Sequence, residues 1–429
     1  VRTLLQIRQK VMLLAPTGRA AKVFSLGSGA PAYTIHRRIY REKAFAGVDG
    51  QFSLNDNLYT DTLFMVDEAS MIANMGLGGT TFGSGCLLDD LVKFVYQGHN
   101  DRLLLIGDKA QLPPVGEEES PALSASVMEG YGLKVYECDL NEVLRQSQSS
   151  GILYNATLIR QMITNDAVTG LPLIRFKGFA DIVRMPGAEL VESLGDSYHH
   201  VGMDETMVIT RSNKRANIYN NGIRNMVLDR EEELSSGDML MIVKNNYFWT
   251  EKEKKESGEG SAGAVPAFLA NGDRAKVLRV SNYIELYGFR FATLLLQLPD
   301  YDDYEMQVTG MLDTLQSEAP ALTHEQQEEL FRQVEEDYQH FVPLKADRMK
   351  SIRQDAYFNA LQIKYAYAVT CHKAQGGQWA HVYVDQGYMT DDMLTPDYIH
   401  WLYTAFTRAT DKLFLVNWPK EQTCEPTDL

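Results

Sequence analysis

Short apolar runs separated by helix-compatible polar stretches recur along the chain from Val11 to about Leu140. The runs at 11–14, 63–66 and 103–106 have the length of single strands, and each leads into small or polar residues. Alternation of buried strands with helices is typical of a parallel sheet. The pattern therefore predicts an α/β fold, and a second block of the same kind opens after Leu140.

Two stretches interrupt this alternation. Between residues 39 and 61, strand-like segments flank a Gly47-Val48-Asp49-Gly50 turn, which predicts a small β-hairpin inserted in the first domain. From 232 to 362, strand-like runs and a Glu/Gln-rich helix indicate a β-rich insert, and Thr323 and Gln326 have capping-box spacing at the start of that helix. The predicted domains are 1–139 (first), 140–231 with 363–429 (second), and 232–362 (insert).

Within the insert, the stretch 251–263 is rich in Glu, Lys, Gly and Ser and is expected to be a flexible loop. The parallel-sheet pattern is expected to resume at Tyr365-Ala366-Tyr367-Ala368-Val369 and again at 412–416. These positions complete the predicted second domain.

Charge and composition narrow the class of protein. The 429 residues include 41 basic and 57 acidic side chains, a net charge of −16, which argues against a surface that coats nucleic acid but leaves room for a local basic groove. No apolar run approaches the roughly 20 residues of a membrane helix. The four cysteines are scattered without Cys-x-x-Cys spacing, and the first residues lack a signal-peptide pattern, so we expect a cytoplasmic protein with no membrane partner.

Two adjacent carboxylates, Asp67 and Glu68, follow the strand-like run 63–66. Ligands of a parallel sheet gather beyond the carboxyl ends of its strands, where such a pair can hold Mg²⁺ and polarise a water for phosphoryl transfer. The alternative is an ordinary acidic helix cap. The next run, 103–106, leads into Gly107-Asp108-Lys109-Ala110-Gln111-Leu112-Pro113-Pro114-Val115. Together the two strand ends indicate a nucleotide-hydrolysing motor.

Six short segments in this order resemble the superfamily 1 helicases of the RecD-like and Dda-like branch: 15–22, 67–70, 107–115, 143–146, 369–376 and 403–409, with a weaker match at Asn271-Gly272-Asp273. The resemblance implies two RecA-like motor domains, a β-hairpin in the first and an SH3-like insert in the second. It also implies ATP and Mg²⁺ as cofactors, and 5′-to-3′ movement of a monomer on single-stranded DNA or on DNA with a 5′ overhang.

A phosphate-cradling loop of the form Gly-x-x-x-x-Gly-Lys-Ser/Thr is expected before the first helix of such a motor. The first glycine of this chain is Gly18, and no Gly-Lys dipeptide occurs anywhere in it. We therefore expect a fragment that lacks the first strand and this loop and that hydrolyses ATP very poorly, whereas the intact parent is expected to be active.

The resemblance assigns roles on the nucleotide side. Glu68 activates the water, Asp67 holds Mg²⁺, and Gln111 senses the γ-phosphate, against the alternative of a solvated loop glutamine. Arg145 and Arg408 are the candidate arginine fingers, although an isolated arginine is usually a surface charge. Gln375 and Gly376 are expected to couple to the nucleotide.

The expected nucleic-acid contacts are hydroxyls, helix-start amides and basic groups that position a phosphate backbone. They are Pro16, Thr17, Gly18, Arg19, Thr34, His36, Thr370, His372 and Lys373. Ordinary helix caps and solvated charges are the alternative. Phe45 or Phe52 on the hairpin is a candidate wedge or stacking side chain, against packing within the hairpin itself.

Two other functions stay open from the sequence. One is a nonenzymatic module that binds single-stranded nucleic acid and is indifferent to ATP analogues. The other is a superfamily 1 motor that works on RNA, because nothing near 34–38 or 370–373 discriminates a 2′-hydroxyl.

Overall fold

The computed structural model describes residues 1–45, 50–75, 83–140, 150–165, 170–257, 265–266 and 268–424, apart from the side chains of 42–51 and 391. Its strands are β1 (Lys10–Ala15), β2 (Ala32–Thr34), β3 (Tyr40–Phe45), β4 (Gly50–Leu54), β5 (Thr62–Val66), β6 (Arg102–Leu105), β7 (Ile182–Met185), β8 (Thr206–Thr210), β9 (Met239–Ile242), β10 (Arg274–Leu286), β11 (Phe289–Leu298), β12 (Tyr304–Met311), β13 (Leu361–Tyr365), β14 (Ala368–Thr370), β15 (Trp379–Asp385) and β16 (Ala409–Val416).

The α-helices are α1 (Arg2–Gln6), α2 (Gly18–Ser28), α3 (Ile35–Ile39), α4 (Leu87–Gln97), α5 (Ala125–Gly130), α6 (Gly151–Thr164), α7 (Leu190–His200), α8 (Asn213–Gly222), α9 (Phe248–Ser257), α10 (His324–Gln339), α11 (Lys345–Arg353), α12 (Cys371–Ala374) and α13 (Pro396–Phe406). A π-helical turn, Ile223–Val227, extends α8. No helix in the described part of the chain is long and apolar enough to cross a bilayer.

The first sheet has the strand order β2-β1-β5-β6, and every pairing in it is parallel. Its buried side chains, among them Leu14, Phe64 and Val66, pack against α3 and α4. The hairpin β3–β4 leaves this domain as a separate antiparallel pair. The carboxyl ends of β1, β5 and β6 therefore lie side by side, as the alternating sequence pattern requires.

The second sheet, in the order β14-β8-β15-β16-β7, is also entirely parallel. Strands β10-β11-β12-β13-β9 close into a small barrel. One continuous core of buried residues joins this barrel to the second sheet. This architecture confirms the predicted α/β class with two RecA-like parallel sheets, a hairpin in the first domain and a β-rich insert in the second. The predicted residue boundaries of the domains stay a prediction.

Residue 363, where the second domain is predicted to resume, lies close to a change of sheet. That position falls inside β13, whose pairing with β9 and β12 makes it a strand of the barrel. The apolar run 365–369 ends one strand of the barrel and begins β14 of the second sheet. A single apolar run contains no signal for this change of partner.

The prediction of a flexible loop over 251–263 is wrong for residues 251–257, which belong to α9. The Oδ1 of Asn246 accepts from the backbone N–H of Trp249 at 3.3 Å, and the indole N–H of Trp249 donates to the carbonyl of Asn359 at 2.9 Å. The contacts of Trp249 thus fix the start of α9. The polar residues that follow it in the sequence did not indicate a helix. Residues 258–263 lie outside the described part.

A fully buried carboxylate, Asp238, joins the barrel to the second sheet just before β9. Its oxygens accept from Arg224 twice at 3.0 Å, from Arg230 at 2.7 Å, from the Ser235 N–H at 2.7 Å and from the Tyr367 hydroxyl at 2.8 Å. Burial raises the pKa of this carboxyl, but the hydrogen bonds from Arg224, Ser235 and Arg230 outweigh it and hold the pKa below its usual range.

Asp238→Ala is expected to destabilise the protein by about 3–5 kcal/mol, because it leaves two guanidinium groups without their buried counter-charge. Urea unfolding followed by circular dichroism measures this loss. Glu231→Ala, at an exposed carboxylate of the same segment, is the matched control and should stay within about 0.5 kcal/mol of the wild type. Equal losses for the two variants would contradict the assigned role.

Candidate nucleotide and nucleic-acid site

Asp67 and Glu68 lie directly beyond the carboxyl end of β5. The backbone N–H of Asp67 donates to the carbonyl of Leu14 at 3.0 Å, which ties it to the end of β1, and its Oδ1 accepts from the N–H of Glu68 at 3.0 Å. Glu68 has φ 52° and ψ 37°, the left-handed region that non-glycine residues rarely adopt. A strained backbone at a carboxylate beyond a strand end is typical of a functional site.

The end of β6 fixes this strained turn. The N–H of Ala69 donates to the carbonyl of Ile106 at 2.8 Å, and the Ile106 N–H donates to the carbonyl of Val66 at 2.8 Å. Gly107 follows, and a Cβ added there would lie 2.9 Å from the backbone nitrogen of Ser70. Glycine is therefore required at 107 by the close approach of two backbones.

The loop 108–112 after β6 is hydrogen-bonded to the second domain. The N–H of Leu112 donates to the Thr404 hydroxyl at 2.8 Å, and its carbonyl accepts from Gln375 Nε2 at 2.8 Å. The Tyr403 hydroxyl donates to Asp108 Oδ2 at 2.7 Å. The N–H and the C=O of Leu112 are thus both bonded to residues of the second domain, Thr404 on α13 and Gln375 directly after α12.

Two further contacts hold the same loop. His400 Nδ1 lies 2.9 Å from the carbonyl oxygen of Ala110 and 3.2 Å from that of Gln111, so the ring carries its proton on Nδ1. Arg160 on α6 lies 3.6 Å from Asp108 Oδ2. Sequence reasoning missed all of these partners and interpreted Tyr403 as core packing. Tyr403 and Thr404 lie within the 403–409 segment, whereas His400 and Arg160 lie outside it.

Gln111 projects from this loop with its Oε1 buried and without a hydrogen-bond partner among the described residues. The hydroxyl oxygen of Ser70, on the turn after Glu68, is in the same condition. Buried polar atoms are almost always paired, so each of these two is available to a ligand or water. The role of Gln111 as a γ-phosphate sensor stays a prediction.

Arg408 is 4% exposed, and its guanidinium donates to the carbonyls of Thr404 at 3.0 Å and Gly377 at 3.1 Å and to the Thr407 hydroxyl at 3.0 Å. The structure therefore places this candidate arginine finger within its own domain. Arg145, the other candidate, lies outside the described residues.

The segment from Thr370 to Gly376 joins the two sides of the site. Gln375 is buried and bonds to Leu112, as described. Gly376 has φ +73°, and a Cβ there would lie 3.4 Å from Ala20 Cβ and 3.7 Å from Thr17 Oγ1. Left-handed backbone and limited space both favour glycine at this contact between the second domain and the start of α2.

One short turn of the barrel, residues 268–273, touches all three groups of predicted nucleic-acid contacts. Lys373 of α12 donates to the Oδ1 of Asn271. A Cβ on Gly18 of α2 would lie 2.5 Å from Ala270 Cβ. The guanidinium of Arg37, on the α3 helix that carries His36, lies 5.9 Å from the ring centre of Phe268. The structure therefore brings the three groups to one side of the barrel.

The basic side chains of this region are desolvated. Burial, followed by repulsion from Arg274, lowers the pKa of Arg19 to about 10, and its guanidinium lies 4.5 Å from the ring centre of Trp379. Burial, followed by repulsion from Lys364, lowers the pKa of Lys373 to about 8. Lysines crowded in this way are stabilised by an anion such as a phosphate group. A local basic cleft is thus compatible with the net negative charge.

The other predicted nucleic-acid contacts on α2 and α3 are helix-capping hydroxyls and an uncharged histidine. Thr17 and Thr34 cap α2 and α3 by accepting from the N–H groups of Ala20 at 3.2 Å and Arg37 at 3.4 Å, and Pro16 precedes the first cap. Burial lowers the pKa of His36 to about 4, so its ring is neutral at pH 7 and adds no positive charge.

Thr370 and His372 lie at the start of α12, where Thr370 is half-buried and His372 is exposed. Their roles in nucleic-acid binding stay a prediction.

The hairpin aromatic Phe52 packs inward. It contacts the first core, and its ring centre lies 6.2 Å from that of Tyr247 beside the barrel, which in turn stacks on Phe268 at 4.9 Å. Phe52 therefore packs beyond its own hairpin, on the first core and Tyr247. A wedge role stays a prediction and would require Phe52 to leave these contacts. The side chain of Phe45 lies outside the described residues.

The residues present fit a bound MgATP only in part. Asp67 offers one carboxylate, and the described part of the chain contains no group of three or more metal-ligating side chains. The two unpaired buried oxygens of Ser70 and Gln111 lie on the turns after β5 and β6. A metal held by a single carboxylate and phosphate oxygens suits Mg²⁺, which keeps several waters and is seldom caged by protein alone.

Two family profiles match the chain: the AAA domain over residues 2–171 and the UvrD-like helicase C-terminal domain over residues 365–416. The first match contains the whole first sheet, and the second contains strands β14 to β16 of the second sheet. The family profiles therefore fall on the two halves of the site.

Individual relatives are distant. The uncharacterized protein R530 of Acanthamoeba polyphaga mimivirus is 22% identical over 397 residues, covering 82% of this chain and 74% of that protein. A Pif1 helicase from Bacteroides in complex with ADP-AlF3 and ssDNA aligns over 97% of this chain and 85% of its own, with 13% identity and a TM-score of 0.46. The Pif1 helicase from Candida albicans aligns over 99% and 89%, with 15% identity and a TM-score of 0.39.

Gly107→Ala is expected to destabilise the protein by about 1–3 kcal/mol, because its methyl group would force the turn after Glu68 away from β6. Gly27→Ala is the control, since a Cβ at this α2 position meets nothing within 4 Å. It should stabilise by up to about 1 kcal/mol. Denaturant unfolding of the two variants measures the difference, and a neutral Gly107→Ala would refute the close-approach argument.

The buried carboxyl of Asp273 makes stability depend on pH, because burial raises its pKa to about 7. Its pKa in an unfolded chain is about 3.9, so the native state binds the extra proton between these values, and stability falls as pH rises from about 4 to 7. Asp273→Asn has no carboxyl to ionise and avoids this loss of stability. Its free energy of unfolding relative to the wild type should therefore rise by about 3 kcal/mol between pH 5 and pH 8.

Thermal unfolding at several pH values measures this difference. Asp302→Asn is the control, at an exposed position with φ 52° that asparagine tolerates. Unfolding curves of wild type and Asp273→Asn that stay parallel across this pH range would contradict the raised pKa.

Proposed function

We propose that this chain is a superfamily 1 helicase and the motor of an ATP-dependent DNA helicase that moves on single-stranded DNA. Its matches to the AAA domain and to the UvrD-like helicase C-terminal domain support this proposal. The Gln111-Leu112-Pro113-Pro114-Val115 form of its sensor loop supports the RecD-like and Dda-like branch, and hence 5′-to-3′ movement as a monomer on DNA with a 5′ overhang. A cytoplasmic location belongs to the same proposal.

One observation carries this proposal. Lys373, which contacts the barrel turn beside α2, lies two residues from Gln375, which hydrogen-bonds the loop that follows β6. A helicase motor must couple its binding of the nucleic acid to the state of its nucleotide. The segment from Lys373 to Gln375 connects the two proposed sites over less than one turn of helix. A binding module without an engine has no need of this link.

On the nucleotide side, each proposed role follows from position. Glu68, on the strained turn beyond β5, orients and deprotonates the attacking water, and Asp67 beside it holds the metal. Gln111 presents its buried amide oxygen to that water or to the terminal phosphate. MgATP supplies the phosphoryl group and the charge neutralisation on its phosphate oxygens. Arg408 and Arg145 are the proposed source of the remaining positive charge.

The chain contains no Gly-Lys dipeptide, so we expect these 429 residues alone to hydrolyse ATP very poorly. Phosphate release from the purified chain, with and without single-stranded DNA, measures this. A version extended upstream with a phosphate-binding loop should be active and stimulated by DNA, and Glu68→Gln should abolish that activity. Robust Mg²⁺-dependent hydrolysis by the 429-residue chain, lost in Glu68→Gln, would overturn the expected deficiency.

Binding of paired DNA and RNA oligonucleotides of one sequence tests the track. DNA preferred over RNA, with affinity that responds to an ATP analogue in the extended protein, supports the DNA motor. RNA preferred over DNA would make it an RNA-directed motor. If both the chain and its extended version bind single strands but neither hydrolyses ATP, the protein is a nonenzymatic binding module.

A further inference from the structure

Asp273 closes the barrel turn that touches the predicted nucleic-acid contacts. It is 1% exposed, and its Oδ2 accepts from the Tyr301 hydroxyl at 2.6 Å and from the Ala270 N–H at 2.7 Å. Gly272, just before it, has φ +98°. The carboxylate therefore holds a tight turn whose backbone conformation only glycine adopts readily.

The second carboxylate oxygen, Oδ1, is buried and has no hydrogen-bond partner among the described residues. It faces the first turn of α2, because a Cβ on Gly18 would lie 3.1 Å from it. Lys22, one turn further along α2, lies 5.6 Å from the ring centre of Tyr301. Helix α2 thus packs on the Asp273 turn along its first two turns.

The opposite side of the same turn meets the second domain. Asn271 accepts from Lys373 Nζ, and burial, followed by repulsion from Lys364, lowers the pKa of that lysine. One turn of four residues therefore lies between α2 of the first domain and α12 of the second. Moving the turn changes the distance between these two sets of phosphate-positioning groups.

We infer that Asp273 is a positioning residue for nucleic-acid binding: its carboxylate fixes the 270–273 turn, which sets the spacing of the α2 start and Lys373. This inference rests on the proposed function, because it concerns how the same site grips a single strand. Asp273 does not touch the strand itself. It acts through Gly18 on one side and through Asn271 on the other.

Two variants disturb the turn from opposite sides. Asp273→Ala removes the acceptor of both hydrogen bonds, and Gly18→Ala places a methyl group against Ala270. Asp273→Asn is the conservative variant, because its amide oxygen can accept both bonds while its NH₂ takes the position of Oδ1. Asp302→Asn, in the exposed loop after Tyr301, is the matched control.

Fluorescence anisotropy of a labelled 16-nucleotide oligothymidylate with the 429-residue chain measures binding over a series of salt concentrations. Asp273→Ala and Gly18→Ala are expected to weaken binding at least tenfold and to reduce the slope of log K against log salt by one or more, because fewer phosphates are neutralised. Asp273→Asn should stay within threefold of the wild type, and Asp302→Asn should be unchanged. A loss of folded protein lowers affinity without changing the slope.

Hydrogen exchange of the free protein separates this inference from the proposed function. Asp273→Ala should raise exchange at 17–21 and at 370–376, whether or not the chain binds nucleic acid. Unchanged exchange there, or an unchanged salt slope in folded Asp273→Ala, overturns the inference. In a second case, the wild type binds no oligonucleotide while exchange still rises in Asp273→Ala. That result would contradict the proposed function and the role of the turn in binding, and it would support only the packing role of Asp273.

Discussion

The peptide groups of Leu112 connect the two motor domains, and the rest of the site depends on this connection. Leu112 is 4% exposed, its N–H is bonded to Thr404, and its carbonyl is bonded to Gln375. A buried backbone group that loses its partner costs about 1–3 kcal/mol. If the domains separate at this loop, both groups either meet water or stay unpaired. Movement at the cleft must therefore keep Leu112 together with Thr404 and Gln375, or replace both bonds.

This constraint explains why the loop after β6 and α12 can act as one unit. Gly107 brings the turn of Glu68 against the start of the loop, and Leu112 ends the loop on Gln375. From Gln375 the chain runs through α12 to Lys373 and the barrel turn. The carboxylates are thus linked to the barrel by the close backbone approach at Gly107, by the side chains of Gln375 and Lys373 and by one short helix.

The barrel is anchored more firmly to the second sheet than to the first. Asp238 and its two arginines lie in a core that the barrel and the second sheet share, whereas α2 meets the barrel over a glycine and a few side chains. Buried ion pairs with complete hydrogen bonding hold one geometry, because any displacement leaves a charge unpaired. We therefore expect the barrel to move together with the second sheet, and its contact with α2 to be the one that changes when the domains move.

Much of this arrangement follows from the sequence, because ligands of a parallel sheet bind beyond the carboxyl ends of its strands. Asp67, Gln111 and Gln375 follow apolar runs, and that placement alone predicts the edge where they lie. The partner of β13 and the helix α9 could not be predicted, because both depend on contacts with residues distant in the chain. Periodicity reports which face of an element is buried, and it does not report which element buries it.

The position of Arg408 determines what a nucleotide would have to change in order to bind its guanidinium. Its guanidinium donates to two carbonyls and one hydroxyl of its own domain, which uses three of its five N–H groups. The other two could bind phosphate oxygens, and the remaining three would become available only if the bonds to Thr404, Gly377 and Thr407 were released. In the second case the carbonyl of Gly377 would lose this donor, whereas that of Thr404 would keep the Thr407 hydroxyl at 3.0 Å. Gly377 adjoins the Gly376 contact with α2. A nucleotide that recruits Arg408 would then disturb the residue next to the α2 contact, so its effect on the nucleic-acid side would depend on how many of these three bonds it replaces.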